Sequence, residues 1–239
     1  MPGPSSSPAS AQGSATRLLV LGCVRIFQPV HGYFLRRELM SWEVERWAHI
    51  HPGSIYNALK TLTRASLLAE IESPAGNRPQ RTTYVITPEG DAEFLALVRA
   101  GLLDVDDLPV FLTAVNMAYA LPRDEVVRAI QARIGILEDL LSDSLASVEQ
   151  ILDAKETPDS ASEIGRLLAA RTRADIAWAH EYLGRLRSGT YAFDGEPPMW
   201  TPTPEQIEIA RLAGVGPGVV LVEAEGHGLP QRVIVKVDE

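Results

Sequence analysis

The stretch that most constrains this 239-residue chain is 51–68, HPGSIYNALKTLTRASLL. Pro52 suits the first turn of a helix, where its missing N–H costs nothing. From there Ile55, Leu59 and Leu62 recur at the i, i+4, i+7 spacing of one buried face. Ser54, Asn57, Thr61 and Arg64 fall on the opposite face, with Tyr56 and Lys60 on its flanks, and no acidic residue lies between His51 and Ala69. Such a helix packs by one side and offers hydrogen-bond donors to phosphates and base edges by the other. A merely solvated helix face has the same pattern. The neighbouring segments decide between the two.

Upstream, TRLLVLGCVRIF (16–27) is apolar on most sides, as suits a helix buried under others, with Thr16 as its expected N-cap and Gln28-Pro29 as its end. Residues 31–44 predict a second helix with Phe34, Leu35, Leu39 and Trp42 inward and Arg36 and Arg37 outward. A less regular piece, 45–50, leads into 51–68. Downstream, LLAEIES and RTTYVIT flank PAGNRPQ, which reads as a β-hairpin around a long Pro/Gly/Asn turn. Arg78 at its tip and Arg81 at the start of the return strand are placed to touch phosphate or enter a minor groove. Thr87, Pro88 and Glu89 then supply the N-cap, first-turn proline and first-turn acid of another helix. Three helices followed by a basic hairpin is the order of a winged helix-turn-helix.

A net charge of −9 argues at first against nucleic acid. The distribution argues for it. Residues 16–90 hold nine basic and six acidic side chains, a local +3, which leaves −12 on the rest of the chain. Local neutralisation of phosphates matters more to a polyanion than total charge does.

Four motifs in this region, LLVLGCV (18–24), HGY (31–33), GSIYNALKTLTRASLL (53–68) and RTTYVITPEG (81–90), resemble the PadR family of transcriptional regulators. The resemblance covers about residues 16–100 and implies a DNA-binding winged helix. Ser54, Tyr56, Asn57, Lys60 and Arg64 match the family's recognition helix. There Tyr56 would bond a phosphate, while Asn57, Lys60 and Arg64 would reach the groove. Two positions depart from the family pattern. Asn57 stands where the family usually has proline, and it adds an amide that can read adenine. His51 replaces a small hydroxyl residue; it is a weaker N-cap, but its imidazole can meet a phosphate. Tyr56 also reads as core packing and His31 as a structural histidine, in line with the half-buried character of both residue types.

Beyond residue 98 the chain turns helical and acidic. Residues 107–120 form a short apolar helix, and a longer one follows to about 153. Its Val127, Ile130, Ile134, Leu137, Leu141, Leu145, Val148 and Leu152 are spaced like a coiled-coil seam. Residues 160–187 make another long helix, with Ile164, Leu168, Ala174, Trp178, Tyr182 and Leu186 on one side. This pair resembles the C-terminal helices with which long PadR proteins dimerise. A seam of this length needs a cover, supplied by a second subunit or by an antiparallel partner in the same chain. The resemblance also implies a small hydrophobic or aromatic effector, for which Phe111, Tyr119, Trp178 and Tyr182 are the candidate contacts; each reads first as plain core.

The expected fold is mostly α with a small β-hairpin wing. It comprises a disordered arm (1–15), a winged helix-turn-helix (16–102), a coiled-coil-like helical dimerisation domain (103–188) and a small α+β tail (189–239). The tail begins with a proline-rich linker, followed by a short helix (205–215) and two alternating strands, 219–225 and 231–237. Part of it resembles the opening of the effector-binding domain of GntR-type regulators, but the stretch is too short for that domain. No nucleophile elbow, P-loop or H-E-x-x-H is present, so no enzyme activity and no cofactor are expected. One cysteine and scattered histidines give no metal-ligand set. No apolar run approaches the ~20 residues that span a bilayer, and the N-terminus does not read as a secretion signal. The expectation is therefore a cytoplasmic homodimer that binds operator DNA, most simply a repressor released by a small ligand. The alternative is a dimeric winged-helix scaffold that no longer binds DNA.

Overall fold

The computed structural model describes residues 8–72, 82–154, 156–196, 219–224 and 231–236. Its centre is α1 (Pro8–Phe27). Leu18, Leu19, Val20, Leu21, Cys23 and Val24 are all buried, so this helix is enclosed on every side along its second half. It starts eight residues earlier than expected. Thr16 therefore lies inside the helix instead of capping it, and residues 8–15 are helical where a disordered arm was expected. Two ion pairs fasten α1 to a later helix, α5 (Pro88–Leu103). Arg17 meets Glu93 at 2.9 Å and Arg25 meets Asp91 at 2.6 Å.

Against α1 pack α2 (Gly32–Ser41), α4 (Pro52–Arg64) and the wing. A one-turn helix, α3 (Val44–Trp47), occupies the irregular piece before α4. The wing is β2 (Leu68–Glu72) paired antiparallel with β3 (Thr82–Ile86). The sequence did not suggest its third strand, β1 (Val30–His31), which pairs with the other side of β3. The sheet order is β1-β3-β2.

The turn from α4 into β2 and the start of α5 are stitched together. Ser66 takes a left-handed conformation (φ 59°), and Leu67 N–H donates to Leu62 O at 3.0 Å, closing the helix. Thr87 caps α5 as expected: its hydroxyl accepts from Gly90 N–H at 3.0 Å and donates to Ser66 O at 2.8 Å. A Cβ on Gly90 would lie 2.0 Å from Leu67 O, so only glycine permits this approach.

The helical body begins with α6 (Leu108–Met117), capped by Asp107, whose carboxylate accepts from Val110 N–H at 3.0 Å. The acidic cluster ahead of it serves the backbone: Asp104 Oδ1 accepts from Asp106 and Asp107 N–H groups. After a 3-10 turn come α7 (Arg123–Ala154) and α8 (Ser162–Arg187), an antiparallel pair. Their contact differs from the expected stripes. Gly165 and Ala169 are buried, while Ile164, Leu167 and Leu168 are 71%, 62% and 49% exposed and Ala174 is also outside. The reason is size. A Cβ on Gly165 would meet Val148 Cγ2 at 2.7 Å, so the helices close on their smallest residues and turn the larger ones outward.

The supposed linker after α8 is folded at its start. Arg123 holds Glu196 bidentately through Nε and Nη2 (2.6 and 2.7 Å), donates to the carbonyls of Leu186 and Tyr191, and lies over the buried Phe193 ring at 5.0 Å. Residues 189–196 thus return to the base of α7. The paired strands β4 (Val219–Ala224) and β5 (Gln231–Lys236) match the expected hairpin; the expected short helix lies outside the described residues. No described helix is long and apolar enough to cross a membrane.

Gly90→Ala tests the stitched turn. The added methyl has backbone against it and nowhere to move, so unfolding free energy should fall by about 3 kcal/mol, read from the denaturant midpoint. An unchanged midpoint would show that the Leu67–Gly90 approach is not needed.

Candidate DNA-binding interface

Helix α4 presents its polar face to solvent because Ile55, Leu59 and Leu62 are fully engaged beneath it. Asn57, Lys60 and Arg64 are exposed, Tyr56 is exposed at 39%, and Ser54 is half-buried. Among the described residues neither Lys60 nor Arg64 has an ion-pair partner. Arg17, Arg25, Arg99 and Arg123, by contrast, are taken up by carboxylates on neighbouring elements. An unpaired cation on a rigid helix is available to a phosphate at little ordering cost. The Asn57 backbone carbonyl accepts from the Thr61 hydroxyl at 2.8 Å, and Asn57 itself is exposed.

Tyr56 is placed by a contact the sequence alone did not reveal. A Cβ on Gly32 would meet Leu59 Cδ1 at 3.2 Å and Tyr56 Cε1 at 3.3 Å, so the ring lies across the first residue of α2. Beside it, burial pushes the Tyr84 phenol up, with the Glu70 carboxylate and the Tyr56 phenol adding to the effect. Tyr56, Gly32 and Tyr84 therefore join α4, α2 and the wing base. Tyr33, next in the HGY motif, is 67% exposed on the same turn of α2 and went unnoticed in the sequence, where it carried no periodic signal. His51 occupies the N-cap position of α4 but makes no capping bond; its Nδ1 sits 3.2 Å from Glu45 Oε1. Arg78 and Arg81 lie outside the described residues.

The expected effector contacts fall into two places. Phe111 meets Trp178 edge-on at 5.5 Å, and Trp178 stacks on Tyr182 at 5.0 Å. Arg133 lies over the Phe111 ring and donates to Asp104 O. Burial pushes the Tyr182 phenol up to about 12. These side chains fill the space between themselves. Tyr119 is elsewhere, its hydroxyl 3.9 Å from Met117 Sδ, and burial raises its pKa. An open groove of about 340 Å³ lies instead between α5 and α7, with Leu102, Leu103 and Leu121 as its apolar lining and Arg99, Glu125 and Arg128 around them. The Arg99 guanidinium holds the Glu125 carboxyl below its usual range. Among the described residues no three His, Cys, Asp or Glu side chains cluster as a metal site would require.

Residues 20–96, which span the buried half of α1, the recognition-type helix and the wing, match the profile of the transcriptional regulator PadR-like family. This segment is similar to the PadR-like domain. Solved structures similar to the chain include Bacillus subtilis PadR in complex with operator DNA, at 18% identity over 71% of this chain and 98% of that one, TM-score 0.31. The Streptococcus mutans protein smu.1604c is similar at 19% identity over 70% and 98%, TM-score 0.32. A PadR-like regulator of Bacillus cereus is similar at 18% identity over 77% and 99%, TM-score 0.26. The family likeness is read from residues 20–96 alone. No curated protein sequence matches the chain. The PadR-like domain contains every sequence-derived DNA-contact candidate, from Ser54 to Arg81.

Tyr56→Phe keeps the ring on Gly32 and removes only the hydroxyl. DNA affinity should fall about fivefold, the loss of one hydrogen bond worth about 1 kcal/mol, with no change in melting temperature. A variant that binds as tightly as the parent would remove the hydroxyl from the interface.

Proposed function

We propose that the protein is a sequence-specific, DNA-binding transcriptional regulator, acting as a homodimer and as a ligand-responsive repressor. The observation that carries the DNA-binding reading is the outer face of α4. It sets Asn57, Lys60 and Arg64 outward, without ion-pair partners among the described residues, on a helix held from beneath by Ile55, Leu59 and Leu62, inside a PadR-like domain. An α-helix fits the major groove, where an amide can pair with adenine and a guanidinium with guanine. Arg78 and Arg81 would add wing contacts.

The homodimer reading is supported by Ile164, Leu167, Leu168 and Leu145, which are exposed on the α7–α8 pair. Each helix of the pair already covers one side of the other, and the outward leucines are what a second subunit would bury. Two-fold symmetry would set two recognition helices on one face of the duplex. Support for a small hydrophobic or aromatic effector comes from the α5–α7 groove, since a ligand there would bear on the contact between the winged helix and the helical body.

The test is titration against the DNA upstream of the protein's own gene at two salt concentrations. Tight binding should weaken steeply with salt, and Arg64→Ala should reduce the slope of log affinity on log salt by about one for each phosphate that Arg64 neutralises. Binding no stronger than to random DNA, without a salt slope, would favour the scaffold reading. Leu168→Glu should yield monomers in sedimentation and weaken operator binding about a hundredfold, because the second site is then no longer linked to the first. A dimer with unchanged affinity would place the subunit interface elsewhere.

A further inference from the structure

One short segment, residues 28–31, bonds to both ends of β3 through its side chains. Gln28 Oε1 accepts from Ile86 N–H at 2.9 Å at the end of the strand near α5. At the other end His31 Nδ1 lies 3.2 Å from the Thr82 carbonyl oxygen and 3.1 Å from the Thr83 hydroxyl. Either tautomer of His31 makes one of these bonds: with the proton on Nδ1 the ring donates to Thr82 O, and with it on Nε2 the ring accepts from the Thr83 hydroxyl. In both states Nδ1 is the atom that faces β3, and Nε2 is left for other partners.

His31 is also the residue on which the rest of the interface turns. It pairs with Thr83 across β1 and β3, and it occupies the N-cap position of α2 without making a capping bond. The next residue, Gly32, carries the Tyr56 ring and Leu59 of the recognition helix. Thr82 directly follows Arg81 in the chain, so a bond to its carbonyl holds one end of the segment that bears Arg78 and Arg81. β2 is the other strand paired with β3 in this three-stranded sheet.

We infer that His31 is a positioning residue for DNA binding, whose Nδ1 sets the wing relative to the recognition helix so that both can engage one duplex. The inference rests on the DNA-binding reading above. The wing strand and the recognition helix meet at residues 31 and 32, within one peptide of each other. A wing freed at Thr82 would leave the recognition helix intact yet could no longer reach its own phosphates, because that reach requires a fixed distance from the groove.

The experiment compares His31→Asn with His31→Gln in the full-length protein. The Asn amide places a polar atom where Nδ1 is; the Gln amide places one near Nε2 and vacates the Nδ1 position. Affinity for a short random-sequence DNA duplex is measured across a salt series, together with amide hydrogen exchange of residues 82–86 and the thermal melt. His31→Asn should keep the parental salt slope and the protection of β3. His31→Gln should lose protection there and reduce the slope by about one for each phosphate that the wing no longer neutralises, with the α4 amides and the melting temperature unchanged. In an Arg78→Ala, Arg81→Ala background, His31→Gln should cause no further drop in slope. A reversed order, with Gln retaining the slope and Asn losing it, would mean that His31 meets a phosphate directly through Nε2 and would overturn the inference. So would equal slopes and equal protection in the two variants. If the parent protein binds no DNA at any salt concentration, the regulator reading fails, while hydrogen exchange at 82–86 still decides whether His31 anchors the wing.

Discussion

The burial of α1 is the constraint on which the rest of the structure depends. A helix buried over most of its second half by apolar neighbours fixes the place of every element that packs on it. α4 and the wing strand lie against it, and so do α5 and α6. Arg17 and Arg25 fix its rotation by pairing with Glu93 and Asp91 on α5. Exposed ion pairs contribute little energy on their own; the contribution here is register, while the apolar surface removed from water stabilises the arrangement. One hydrophobic core therefore runs from Ala15 through the winged helix and on to Phe193. The junction of α5 and α7 is joined to α4 by continuous packing.

Charge is divided along the same line. The body uses its arginines internally: Arg99 on Glu125, Arg123 on Glu196 and Phe193, and Arg133 on Asp104 O and Phe111. Burial holds Arg133 below its ordinary pKa, with Asp175 and Asp104 opposing that effect. Helix α4 leaves Lys60 and Arg64 without an ion-pair partner among the described residues. A chain with a net charge of −9 can therefore present a local cationic face, and an acidic body disfavours any approach to a polyanion that does not lead with that face.

The α7–α8 pair shows how helix packing chooses among apolar residues. Close approach is set by the smallest side chains at the crossing, which are Gly165 and Ala169, with Val148 opposite. The bulkier Ile164, Leu167 and Leu168 cannot occupy that seam and face outward. Hydrophobicity alone would have put them inside. Geometry put them on the surface, where they form a patch of the kind that marks an association site.

Local sequence signals suffice for the order of the elements, the buried face of α4 and the cap of α5. Each is encoded locally: Ile55, Leu59 and Leu62 by helical periodicity, Thr87 and Pro88 by the chemistry of a helix start. Tertiary structure decided what depends on distance between segments. β1 is only two residues long and exists because β3 offers it a free edge. The start of α1 is extended past Thr16, since no sequence signal fixes where a helix frays. The linker after α8 is folded at its start because Arg123, about 70 residues away, takes hold of Glu196 and Phe193. The same holds at the interface. Asn57, Lys60 and Arg64 could be read from spacing, whereas the contacts that place Tyr56 on Gly32 and His31 on β3 join residues far apart in the chain, and such contacts leave no period for a sequence to display.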